Sequence, residues 1–77
     1  MIDHFEQHLL ERIDEAEAAI AKYIAAVEYD DYLTLQFIDT DPATAQIYQD
    51  WKRFNQDKVT LFKAELQTLQ KIGRAHV

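Results

Sequence analysis

The chain reads as an all-α protein, an antiparallel hairpin of two long helices that is expected to assemble into a four-helix bundle. Three observations point there. Outside the last six residues there is no glycine, the only proline is Pro42, and apolar residues recur at helical spacing on both sides of it. A chain without glycine has no low-cost route into left-handed turns or phosphate-cradling loops, which favours long helices and few corners.

The first helix is expected over about residues 3–38. Leu9, Ile13, Ala16, Ile20, Tyr23 and Val27 alternate steps of four and three, which marks a single helical seam. Tyr32-Leu33-Thr34-Leu35-Gln36-Phe37-Ile38 is locally ambiguous, because Leu33, Leu35 and Phe37 alternate as they would in a strand. Helix is preferred, since a lone strand would find nothing in this chain to pair with. At 1.5 Å per residue the first helix would be on the order of 50 Å long.

Residues 39–41 form the expected corner. Asp41 suits the cap because its carboxyl can accept from the first free amides, and Pro42 suits the first helical position because it has no amide to lose. The second helix, about 42–71, carries Ile47, Tyr48, Trp51, Phe54, Val59, Phe62, Leu66 and Leu69 on one broad face, with Leu61 at its margin.

Folding the helices back symmetrically about 39–41 predicts a register. Ala25 and Ala26 fall opposite Phe54, Ala18 and Ala19 opposite Leu61 and Phe62, and Tyr29 and Tyr32 opposite Trp51 and Tyr48. Small residues thus face large ones, as an interlocking core requires. Glu28 would meet Lys52, Glu17 Lys63 and Lys22 Asp57, each pair worth only ~0.3–0.5 kcal/mol. The same register sets Asp30 against Asp50, a like-charge pair, and leaves Ile2, Phe5 and His8 extending beyond Lys71.

The ending Ile72-Gly73-Arg74-Ala75-His76-Val77 reads as a translated sequencing adapter. The string AGATCGGAAGAGCACACGTCTGAA gives these residues and then a stop, and Lys71 is among the few residues whose codon can end in the required AG. The expectation is a single native hairpin domain over 1–71, with 72–77 an appended tail, and a natural product that continued past about Gln70 with more helix.

Composition narrows the function classes. Eight Lys and Arg face 14 Asp and Glu, a net charge of −6, which disfavours direct binding to nucleic acid or an anionic membrane and favours basic partners. No apolar run reaches the roughly 20 residues of a membrane span, and acids stand where a signal peptide carries bases. The expected location is therefore the cytoplasm. Cysteine is absent, which excludes disulfides and thiolate metal sites. A lone core below ~70–80 residues rarely supplies more than ~3–5 kcal/mol, so a homodimer is expected.

Candidate sites are few. His4, His8, Glu11 and Glu15 share one helical face and are weak candidates for a metal site, chiefly one formed across a dimer; the second helix supplies no histidine and few acids to complete it. Asp30, Asp31 and Asp50 lie near the corner beside Tyr29, Tyr32 and Trp51, residue types that dominate binding hot spots. These six are the partner-binding candidates, either as a solvated acidic tip over the hairpin's own core or as a patch for a basic protein surface.

The segment Ala26-Val27-Glu28-Tyr29-Asp30 with Thr40-Asp41-Pro42 is similar to the corner of encapsulated ferritin-like proteins, which are also short helical hairpins. Where that family carries Glu-x-x-His on its second helix this chain has Asn55 to Lys58, so no function is carried over. No catalytic set emerges: the threonines have no histidine near them, and there is no cysteine or glycine-rich loop. The expectation is a small acidic protein that acts by association, without catalytic activity or cofactor. The alternative is an acidic inhibitor or nucleic-acid-mimicking decoy.

Overall fold

The computed structural model describes residues 3–76. Helix α1 runs His4–Phe37 and helix α2 runs Pro42–His76. They pack antiparallel along their whole length, giving a rod of 59 × 17 × 11 Å. The segment 32–37 is helical, and Thr34 Oγ1 donates back to the Asp30 carbonyl at 2.8 Å within it.

Each helix start is capped by an aspartate. The Asp3 carboxyl accepts from the Glu6 amide at 2.6 Å. Asp41 accepts from the Thr44 amide at 3.2 Å and from the Thr44 hydroxyl at 2.6 Å, satisfying one of the donors that a helix start leaves open. At the end of α1 the Phe37 carbonyl accepts from both Thr40 and Asp41 amides, at 3.2 and 2.8 Å. Among the described residues no backbone φ is positive, so the corner turns without the conformation for which glycine is usually needed.

The contact between the helices is a coiled-coil seam. On α1 it follows Leu9, Ile13, Ala16, Ile20, Tyr23, Val27, Asp30, Thr34 and Phe37; on α2 it follows Ala45, Tyr48, Lys52, Asn55, Val59, Phe62, Leu66, Leu69 and Gly73, each at least partly buried. The buried apolar residues are Leu9, Ala16, Ala45 and Leu69, and no large side chain among the described residues is fully enclosed. Two helices meet along a line, which shields one edge of each side chain and leaves the rest in water.

The register differs from the symmetric expectation. Tyr23 stacks on Phe62 rather than facing Asp57, with ring centres 5.7 Å apart, and Phe37 stacks on Tyr48 rather than meeting Ala43, at 6.1 Å. Asp30 meets Asn55 rather than Asp50, with the Asn55 amide donating to its carboxyl at 2.7 Å. The cause is the tilt of side chains toward their own helix N-terminus. On α1 that tilt points away from the corner and on α2 toward it, so contacting side chains arise from α2 residues further from the corner than a backbone count suggests.

The ion pairs differ from the expected ones as well. Lys52 binds Asp31, not Glu28, at 2.7 Å, and the other salt bridge among the described residues is Arg12 to Glu65, also at 2.7 Å. Neither Glu17 with Lys63 nor Lys22 with Asp57 forms one. Lys22 Nζ instead lies 5.5 Å from the Tyr23 ring centre.

Helix α2 continues through Ile72 and Gly73 to His76, further than about 71. Phe5 and His8 therefore do not overhang: they line a shallow groove together with Leu69 and Ile72. Ile2 lies outside the described residues. No helix among the described residues is long and apolar enough to cross a membrane.

Candidate functional site

The seam divides the hairpin surface into two sides of different chemistry. One side is identified by the Arg12–Glu65 bridge that crosses it. Steps of seven from Arg12 reach Phe5, Ala19, Ala26 and Leu33; steps of seven from Glu65 reach Ile72, Lys58 and Trp51, so these residues share that side. Next to the Trp51 series on α2 runs a further stripe, Ile47, Phe54 and Leu61.

This stripe is open to solvent. Ile47 is 55 % exposed, Trp51 54 %, Phe54 48 % and Leu61 62 %. The Trp51 and Phe54 rings meet edge to face at 5.7 Å, and with Ile47 and Asp50 they wall a shallow apolar depression. Lys58 Nζ lies over the Phe54 ring, 5.3 Å from its centre, so a half-buried lysine covers part of the stripe. The aromatic residues near the corner are consequently a surface feature. Trp51, Tyr29 and Tyr32 all stay exposed, and Tyr48 turns inward onto Phe37.

The other side of the hairpin is lined on α2 by Gln49, Gln56, Lys63 and Gln70 in steps of seven, all exposed. Leu10 and Ile24 from α1 and Ile38 just beyond its end are spread along it, and a groove there is walled by Ile24, Val27, Gln56 and Val59. An apolar residue on this side faces a glutamine or lysine across the seam, so no continuous apolar surface forms.

The acidic candidates separate. Asp30 is buried, with 8 % of its surface exposed, and its carboxyl is satisfied by Asn55, which is equally buried. It is therefore not part of a surface patch, and the like-charge contact with Asp50 does not form. Asp31 is held by Lys52. Asp50 is exposed and accepts from Gln46 at 2.9 Å. Asp41 is committed to capping, and the Thr44 hydroxyl, followed by the Thr44 amide, holds its pKa below the ordinary aspartate value. The pKa of Arg12 is raised by the Glu65 hydrogen bond first and the Glu65 charge second.

His4, His8, Glu11 and Glu15 all stand exposed on α1. Glu11 accepts weakly from Gln7 at 3.4 Å. Among the described residues no three His, Asp or Glu side chains converge as a metal site would require.

The buried Asp30–Asn55 pair was not legible in the sequence. Its only signal is that both residues fall on the four-and-three seam, where an apolar residue is the norm. No family model matches the chain, and no curated protein or solved structure matches it significantly. Fold and surface define its class, a two-helix antiparallel hairpin with an exposed apolar stripe of Ile47, Trp51, Phe54 and Leu61 on one side.

Proposed function

We propose that this protein acts by association rather than catalysis, and that its first partner is a second copy of itself, with two hairpins forming a four-helix bundle. One observation carries the reading. The hairpin exposes 5900 Å², whereas a compact monomer of 9.1 kDa would expose ~4,900 Å². The excess is about 1,000 Å² per copy, so a two-fold pair that removed it from both would bury about 2,000 Å² in total, the upper end of a standard stable interface. The exposed Ile47, Trp51, Phe54 and Leu61 supply apolar and aromatic anchors for such a contact.

A basic protein partner receives less support. Asp30 is turned inward and Asp31, with its side chain about half exposed, is paired with Lys52, so of the three only Asp50 is exposed without a salt bridge among the described residues. Sedimentation equilibrium at tens of micromolar tests the proposal. A mass twice that of the chain is expected; a well-folded monomer, with full helical circular dichroism, would refute it.

A further inference from the structure

We infer that the two copies join through the side carrying Trp51, Phe54 and Leu61 and lie side by side with their corners at the same end, so that α2 of each copy runs antiparallel against α1 of the other. This rests on the association proposed above and specifies its face and direction.

The choice of face follows from its apolar content. On the Trp51 side α2 presents Trp51 and Ile72 beside the seam and Ile47, Phe54 and Leu61 in the next stripe out, while α1 presents Ala19, Ala26 and Leu33. Arg12 and Glu65 neutralise each other within one hairpin. Lys22 and Lys58 hold their Nζ atoms 5.5 Å from the Tyr23 ring centre and 5.3 Å from the Phe54 ring centre, and on association their long stems let these charges swing out to the rim. The opposite side would bury Gln49, Gln56, Lys63 and Gln70, whose polar groups would each need a new partner.

Direction follows from shape. Along this face α2 is a ridge of large side chains and α1 is comparatively low, with alanine at 19 and 26. Aligned copies carry the intrachain register over to the contact between copies. Leu61 then enters the hole formed by Ala19, Lys22 and Ala26 of the partner copy, and Phe54 enters the hole formed by its Ala26, Tyr29 and Leu33. Both holes have the i, i+3, i+7 spacing of coiled-coil packing. Large side chains meet small ones, and every neighbouring pair of helices is antiparallel.

The reversed arrangement would set ridge on ridge and alanine on alanine, leaving gaps between the α1 helices. It would also bring Lys58 of one copy beside Lys58 of the other. Alignment has its own cost, because Asp39 and Asp41 of both copies gather at one end. That repulsion falls on exposed groups and is screened over ~8 Å at physiological ionic strength.

The chain has no cysteine, so a single spin label is clean to introduce. Thr40→Cys at the exposed corner carries the label, and electron double resonance reads the distance between copies. Aligned hairpins predict a separation below about 30 Å, from interhelical distances of about 8–10 Å plus two label arms. Reversal about the middle of the Trp51–Leu61 stripe predicts about 45 Å at 1.5 Å per residue, and would overturn the direction while leaving association intact.

The face is tested by Leu61→Ala and Phe54→Glu against Leu35→Glu, which changes an exposed leucine away from the Trp51 side. The first two are expected to raise the dimer dissociation constant at least about 30-fold with helical content retained, and the third to leave it within about threefold. Equal weakening by all three, or by Leu35→Glu alone, would overturn the assignment of the face. Absence of any dipolar coupling together with monomeric mass would overturn the association itself.

Discussion

Removing the Asp30–Asn55 bond from one side only is expected to cost more than removing both groups. The Asn55 amide donates to the Asp30 carboxyl at 2.7 Å, and both residues are 8 % exposed. With Asn55→Leu the carboxyl stays inside the seam without this donor; with Asp30→Leu the amide is the group left over. Each single change should cost about 1–3 kcal/mol. Taking about 2 kcal/mol, the thermal midpoint of a chain of this size falls by roughly 8–16 °C.

The double substitution removes both polar groups and joins two leucines in the seam. It is expected to be at least as stable as the parent, which at about 2 kcal/mol for each single change corresponds to a coupling of about 4 kcal/mol between the sites. Urea unfolding of all four proteins, followed by circular dichroism at one fixed protein concentration, measures it. A coupling below about 0.5 kcal/mol would refute the reasoning, because it would mean that water or another donor already satisfies each group.

Two further predictions concern the helix ends. Asp41→Ala should lower the thermal midpoint at neutral pH and Asp41→Asn should lower it less. Because the folded-state pKa of Asp41 is depressed, its contribution is complete above the ordinary aspartate value and is lost as pH falls through the folded value. The difference between Asp41→Ala and parent should therefore shrink on acidification; a difference that is constant down to pH 2 contradicts the capping role. Gly73→Ala should stabilise by up to about 1 kcal/mol through helix propensity. The new methyl would sit 3.2 Å from Leu9 Cδ2, the movable end of a side chain, so a small shift accommodates it; a lower thermal midpoint would show that the Leu9 contact is tighter than this.

The sequence by itself determined the two helices, their corner and the face that α1 turns inward; on α2 it marked a broad apolar face but not that Ala45, Lys52 and Asn55 would line the seam while Ile47, Trp51 and Phe54 stay outside it. The four-and-three recurrence from Leu9 to Val27, the lack of glycine before residue 73 and the Asp41-Pro42 start are local signals, and they suffice for helix type and for the corner, though not for the end of α2, which runs on to His76. The sequence also contained the apolar stripe, since Ile47, Phe54 and Leu61 recur every seventh residue.

Tertiary structure alone decided which residues touch. The tilt of side chains toward each helix N-terminus moves partners along α2, and this shift took Asp30 from a presumed repulsive surface contact to a buried bond with Asn55 and moved Lys52 from Glu28 to Asp31. It also decided how much of the apolar surface one partner helix can cover. A helix shields its neighbour only along a line, so Trp51, Phe54 and Leu61, apolar enough for a core, remain in solvent. A one-dimensional pattern records that a residue is apolar and which way it faces. It does not record how many neighbours there are to cover it.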